Sequence, residues 1–290
     1  MIRSAFGDAR AFIEMQPYFF AETPQVIAEM GTGDVRLVVN VATHGNEYLP
    51  VIAAHKAIAL LEKETIHGRV RFTVANPPAI RANKRFVESD LNRIYPGKTD
   101  GSLEERLAVN MFPLIDGVPF AVDMHTSPNT RPFVVAVARS SDHVQLEEYL
   151  GIPDIALLVM KPEPHAMVQF VQCGVGVELG PHDDPESVSR GIQVIYNAMR
   201  GIGMITGELI KPAAYRYYAM TGLISREIAN GLPEGTIQDF SPVSNKLIGV
   251  SPEDGTTIPI LTDPNRTFSD HYSLALKSVT REYLTGREQE

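Results

Sequence analysis

The chain carries a series of short apolar runs, each ended by small or polar residues and most followed by a stretch with helical spacing. Residues 35–43, with Leu37-Val38-Val39-Asn40-Val41 at their centre, read as a buried strand. Residues 50–63 read as the next helix, with Pro50 tolerated in a first turn. Residues 70–75 form a second predicted strand, stopped by Asn76-Pro77-Pro78. Leu103 to Phe112 predicts a helix with Ser102 as N-cap and Glu105 at capping-box spacing, ended or kinked by Pro113. Strands are predicted over 119–124, 133–138 and 155–160, a short helix over 142–150, an apolar run over 174–180 and a long amphipathic helix over 185–202. Strands apolar on both faces that alternate with helices indicate an α/β fold, a mostly parallel mixed sheet flanked by helices.

The texture changes at Gly207 to Pro212. Beyond it come strand-like runs at 215–224, 247–250 and 257–261, separated by Gly, Pro and Asp turns. The expected organisation is an α/β domain over residues 1–207 and a smaller β-rich C-terminal domain over 208–290. The first 33 residues give no clear pattern before the Gly31-Thr32-Gly33 turn.

Composition narrows the function classes. A net charge of -9 argues against a general nucleic-acid-binding surface. The single cysteine, Cys173, excludes an internal disulfide and a multi-cysteine zinc site, and suits a reducing cytoplasm. The N-terminal stretch lacks the apolar core of a signal peptide, and no run approaches the roughly 20 apolar residues that span a bilayer, so no membrane partner is expected. The oligomeric state stays open, a homo-oligomer included.

Candidate chemistry gathers at strand ends. His44 and Glu47 follow one strand, His125 follows another, and Glu178 closes a third apolar run. In open α/β sheets, ligands bind outside the carboxyl ends of strands, so residues distant in sequence can converge there. If the turn after residue 43 opens a helix, His44 and Glu47 share one face of it. Two histidines and one carboxylate, leaving a fourth position open, form a common catalytic zinc set. A carboxylate inside Val-Gly-Val-Glu-Leu-Gly needs a partner or a polar cleft, and beside a metal it could serve as general base and acid. Each element alone has a plainer explanation. A lone histidine after a strand is more often a hydrogen-bonded structural residue, and His-x-x-Glu can be an ordinary acidic helix start. Three coincidences at strand ends favour the metal site.

Arg81, Lys84, Arg85 and Arg93 add a basic loop to an acidic chain, and Asn92 sits beside Arg93. Such a loop is commonly a solvated one. Beside a metal site, it reads better as a clamp for a small carboxylate, with arginine forks and an amide donor.

These residues resemble the aspartoacylase and succinylglutamate desuccinylase family of zinc-carboxypeptidase-like hydrolases. His44-Gly45-Asn46-Glu47 is similar to that family's first metal motif, and Asp123-Met124-His125-Thr126 to its second. Asp90-Leu91-Asn92-Arg93 resembles its substrate-binding motif, and Val177-Glu178-Leu179-Gly180-Pro181 its catalytic-glutamate motif. The order and spacing match over roughly residues 36–205. The Gly255–Pro259 turn and Tyr272 are similar to the aspartoacylase C-terminal domain.

The resemblance implies that one Zn²⁺ is bound by His44, Glu47 and His125, with Glu178 as general base and acid. It implies that Arg85 polarises the scissile carbonyl, that Asn92 and Arg93 hold a substrate carboxylate, and that Tyr272 closes the pocket. The implied substrate is a small carboxylate-bearing N-acyl amino acid. One departure bears on its identity. Aspartoacylases proper carry a substrate-binding arginine ten residues before the catalytic glutamate, where this chain has Val168. A less acidic substrate is therefore expected, unless another residue such as Arg131 substitutes. The alternatives are a carboxypeptidase-type metallopeptidase with the same metal chemistry, and a zinc-binding protein without catalysis.

Overall fold

The computed structural model describes residues 9–128, 131–158, 165–250, 254–262 and 272–287. The strands are β1 (Gln25–Gly31), β2 (Val35–Val41), β3 (Arg69–Val74), β4 (Phe120–Ser127), β5 (Phe133–Ala136), β6 (Asp154–Leu157), β7 (Cys173–Pro181), β8 (Arg216–Ile224), β9 (Val243–Ser244), β10 (Thr256–Ile260) and β11 (Ser273–Val279). They form one 11-stranded sheet in the order β1-β3-β2-β4-β7-β5-β6-β8-β11-β10-β9. The central strands β3, β2, β4 and β7 run parallel, which places their carboxyl ends at one edge of the molecule. This is the α/β fold with a parallel-centred mixed sheet expected from the run of buried strands and helices.

Helices α1 (Tyr48–Leu61), α2 (Pro77–Ala82), α3 (Leu103–Ile115), α4 (Ser141–Tyr149) and α5 (Glu186–Gly201) cover the sheet. The alternation of β2 explains the layers. Leu37, Val39 and Val41 join a core that includes Val51, Ala54 and Leu61 of α1 and Val194, Ala198 and Met199 of α5. Val38 points the other way, into a second core with Leu107, Ala108 and Met111 of α3. Fully burying each such aliphatic side chain contributes about 1.5–3 kcal/mol. Among the described residues, no helix is long and apolar enough to cross a membrane.

Several local expectations change. Pro113 neither stops nor ends α3; it lies on the exposed face, and the helix continues to Ile115, whose side chain is buried. The capping box of Ser102 and Glu105 forms as read. Residues 247–250 are not a strand: Asn245–Ile248 make a helical turn, which Gly249 closes at a φ of 67°. Glycine suits that left-handed position, and the Val250 N–H then returns to the Asn245 carbonyl at 2.9 Å. The expected strand over 155–160 ends at Leu157, and residues 159 and 160 lie outside the described residues. After α5 the chain re-enters the same sheet, because β8 pairs in parallel with β6, from Asp154↔Arg216 to Leu157↔Ala219.

Candidate active site

The site lies on the α3 face of the sheet, at the carboxyl ends of β2, β4 and β7. Ala42, just after β2, takes a left-handed φ of 55°, rare for a residue with a Cβ, and turns the chain away from the strand direction. Gly45 lets the turn press against α2: a Cβ there would meet the Ala79 carbonyl carbon at 2.0 Å and the Ile80 nitrogen at 2.3 Å. The Glu47 N–H closes the turn on the His44 carbonyl at 3.3 Å. The helix starts only at Tyr48, so a turn, not a shared helix face, brings His44 and Glu47 together. Glu47 occupies the helix N-cap position without capping it, which leaves its carboxylate for the site.

His44, Glu47 and His125 are buried, and one ligand atom of each lies within 4.8 Å of the others. His44 Nδ1 is 2.7 Å from Glu47 Oε1, and His125 Nδ1 is 3.0 Å from Glu47 Oε2. The opposite ring nitrogens also meet carboxylates. His44 Nε2 is 3.2 Å from Asp90 Oδ1, and His125 Nε2 is 2.9 Å from Asp123 Oδ2. Metal-binding imidazoles are held this way: an outer carboxylate takes the Nε2–H and leaves Nδ1 to coordinate.

A further row of bonds runs behind Asp123. Thr73, Asn40 and Asp123 are register partners on β3, β2 and β4. Thr73 donates to Asn40 Oδ1 at 2.7 Å, and Asn40 donates to Asp123 Oδ1 at 2.8 Å. Thr43 Oγ1 donates to the same carboxylate at 3.0 Å. The buried Asp123 is thus held from several sides, consistent with the rule that buried polar groups are paired.

The charges fit a cation. Burial alone would push the Glu47 carboxyl up, but the two imidazoles hold it well below the usual range. Burial would push His125 down, yet the Asp123 and Glu47 carboxylates raise it well above the ordinary imidazole value. A centre that holds a proton this firmly stabilises positive charge, and a divalent cation would replace that proton on the same nitrogen and oxygen atoms. Four buried polar atoms, Asn46 Oδ1, Asn92 Oδ1, Ser127 Oγ and Glu178 Oε2, have no hydrogen-bond partner among the described residues. All four residues line the same cavity as His44 and His125.

Glu178 is the cross-strand partner of His125 on β7. Burial pushes its carboxyl up to about 7; the His125 imidazole works against that shift and the Glu47 carboxylate adds to it. Arg85 holds Asp90 through Nε at 3.1 Å and Nη2 at 2.8 Å, and its Nη1 lies 3.9 Å from Glu47 Oε1. The Asn92 amide is 3.2 Å from His125 Nε2, and Arg93 donates to the Asn92 carbonyl at 2.8 Å. Arg85, Asn92 and Arg93 all line the cavity. Arg81 of the basic loop serves elsewhere: it binds the Phe19 and Ala21 carbonyls and the Glu22 carboxylate.

Glu47 lies behind the two imidazoles and outside the cavity lining, and Tyr272 stays away from it altogether; it packs beside the cluster of Ile224, Ile237 and Val243. Arg131 is also committed elsewhere. It pairs with Asp154 at 3.0 and 3.1 Å and lies 4.0 Å over the Phe240 ring. The structure adds Asp90 and Asp123 as partners of the imidazoles, and His182, whose Nδ1 is 2.8 Å from Thr126 Oγ1 at the cavity. Asp123 was findable, since two residues before His125 on a strand is the same face. Nothing local marks His182.

Comparison with known proteins agrees with this geometry. Residues 34–202, more than half of the chain, match the model of the succinylglutamate desuccinylase/aspartoacylase catalytic domain. The chain is 26% identical over 245 residues to the N-alpha-acetyl-L-2,4-diaminobutyric acid deacetylase of Halomonas elongata, covering 72% of this chain and 70% of that one. It is 32% identical over 123 residues to a succinylglutamate desuccinylase of Pseudomonas aeruginosa, covering 38% of this chain and 37% of that one. The structure of the succinylglutamate desuccinylase from Chromobacterium violaceum superposes with a TM-score of 0.67 at 14% identity, over 95% of this chain and 97% of that chain, a likeness of fold. The chain belongs to the succinylglutamate desuccinylase/aspartoacylase family.

Proposed function

We propose that this protein is a zinc-dependent, cytoplasmic hydrolase that cleaves the amide bond of a small N-acyl amino acid. The carrying observation is the convergence of His44 Nδ1, His125 Nδ1 and the Glu47 carboxylate, with both Nε2 atoms held by aspartates. These three residues would hold one zinc ion, which supplies a Lewis acid for the scissile carbonyl and lowers the pKa of water. Glu178, with Oε2 unpartnered among the described residues, takes the proton of the attacking water and passes it to the departing amine. A carboxyl pushed up to about 7 can do both near neutral pH. Arg85 stands beside Glu47 to meet the oxyanion of the tetrahedral intermediate. Asn92 and Arg93 hold the substrate carboxylate, as an amide donor and a fork suited to that shape. The relatives' names, a deacetylase and a desuccinylase, support removal of an acyl group from an amino acid.

The test is Glu178→Gln, with metal content and turnover measured on one sample. The expected variant keeps one zinc per chain and loses nearly all hydrolysis, about a thousandfold or more. Full turnover in that variant overturns the base assignment. A C-terminal peptide assayed beside the N-acyl amino acids separates deacylation from peptidase action.

A further inference from the structure

The cavity that holds the candidate site has two unlike halves, and β7 is the border between them. On one side stand His44, Asn92, Arg93 and His125. On the other, the wall is Val135, Val137, Leu158, Leu261 and Leu274. The sheet register explains the division. Asp123 of β4 is the partner of Gly176 on β7, and Gly176 is in turn the partner of Val135 on β5. Gly176 and Glu178 are two apart on a strand and share one face. A Cβ at Gly176 would come within 3.2 Å of Val135 Cβ, so the glycine lets Val135 of the apolar wall close up directly beside the β7 border.

From this arrangement we infer that the substrate's amino acid carries an apolar side chain, which lies over Gly176 against the aliphatic wall. The inference rests on the proposed deacylase reading for the roles of Glu178 and Arg93. Glu178 protonates the departing amine, so the amine nitrogen sits at the β7 border. The carbonyl then points toward His44 and His125, and the α-carboxylate reaches Arg93. The remaining substituent of the amino acid falls on the apolar half. A second carboxylate lying against Val135, Leu158, Leu261 and Leu274 would be buried against aliphatic carbon, an unfavourable state. Arg131, the candidate substitute, is bound to Asp154.

The test compares kcat/KM of the zinc-loaded protein for N-acetyl-L-leucine, N-acetyl-L-phenylalanine, N-acetylglycine, N-acetyl-L-aspartate and N-hexanoylglycine. Leucine or phenylalanine is expected to exceed glycine on the order of 100-fold, from burial of the side-chain carbons, and to exceed aspartate by at least as much. An aspartate rate equal to or above that of leucine overturns the inference. A preference for N-hexanoylglycine over N-acetyl-L-leucine also overturns it, because the apolar half would then hold the acyl chain. If no compound is hydrolysed, the deacylase reading itself fails, and the same compounds are titrated into the unaltered zinc-loaded protein by calorimetry. N-acetyl-L-leucine binding at least tenfold tighter than N-acetyl-L-aspartate then sustains the apolar subsite, and equal, weaker or absent binding removes it. In a folded Val168→Arg variant, the preference should shift toward aspartate by tenfold or more. An unchanged preference there also counts against the inference, and the panel on the unaltered protein decides if the variant does not fold.

Discussion

Asn40 and Asp123 stand side by side on neighbouring parallel strands, joined by a 2.8 Å hydrogen bond, and Asp123 passes the contact on to His125 at 2.9 Å. A buried amide two strands away from β7 thus sets the direction of an imidazole at the cavity. Replacing Asn40 by Ala removes a donor from Asp123 and an acceptor from Thr73. The expected result is a destabilisation of about 1–3 kcal/mol and a metal affinity lowered by about 10–100-fold. Urea unfolding and competition with a chelator measure the two effects. An unchanged metal affinity would show that the Asp123 carboxylate holds His125 without help.

Gly45 carries a steric prediction. Its Cα faces the Ala79–Ile80 backbone, where a methyl group would approach within 2.0 Å of carbon. Backbone cannot yield as a side-chain tip can, so Gly45→Ala should shift the His44–Glu47 turn. Overpacking of this kind typically costs about 1–3 kcal/mol. The readouts are a lower thermal midpoint together with reduced zinc occupancy. A variant that keeps full occupancy would mean that α2 moves instead of the turn.

Glu147 supplies a pH dependence unrelated to the site. It is fully buried on α4, and neither carboxylate oxygen has a hydrogen-bond partner among the described residues. Burial, with help from the Glu148 carboxylate, pushes its carboxyl up to about 8 from an ordinary 4.5. Between these two values the folded protein keeps a proton that the unfolded chain has released. Stability therefore falls as pH rises through that window, by about 1.4 kcal/mol per pH unit from this group, and is level on either side. Glu147→Gln removes the dependence. Its advantage over the unaltered protein should be near zero at pH 4.5 and grow to several kcal/mol at pH 8, on the order of the full shift. Urea midpoints at several pH values test this, and parallel pH profiles for the two proteins would refute it.

Arg131 should matter for stability and not for substrate choice. Its guanidinium joins Arg216 and Tyr218 on the buried Asp154, which ties the start of β6 to β8. Arg131 and Arg216 are half exposed, so solvent screens much of each pair. Arg131→Ala is expected to cost about 1 kcal/mol, a drop of about 2–4 °C in Tm for a chain this long. The order of rates across the N-acyl amino acid panel should stay the same. A changed order would place Arg131 in substrate binding after all.

Much of the fold was legible in the chain because β2, β4 and β7 are buried on both faces and read as largely apolar runs. His44, Glu47, His125 and Glu178 were visible because each breaks or follows such a run. Other features depend on information that no local window carries. The Thr73–Asn40–Asp123 row exists only once three strands are set in register, and Asn40 and Asp123 lie 83 residues apart in sequence. The His44–Glu47 turn depends on the positive φ of Ala42 and on the approach of α2, so helical spacing gave the right pair by the wrong geometry. Leu247–Val250 looks like a strand by composition, but Gly249 and the return bond to Asn245 decide for a turn. Tyr272 was named by likeness to a tail whose neighbours the sequence does not reveal, and its ring packs on another cluster.

The pairing of β6 with β8 has a consequence for how the chain can be divided. All four residues of β6 are buried, and its outer backbone edge is covered by residues 216–219. A protein ending at Gly207 would leave that edge open, with Ile155, Ala156 and Leu157 beside it as a ready template for pairing between molecules. It would also strip Arg216 and Tyr218 from Asp154 and remove Leu274 from the cavity wall. The last third of the chain therefore acts as a guard against self-association as well as a wall of the site, and shortening the protein to its metal-site residues should yield aggregates.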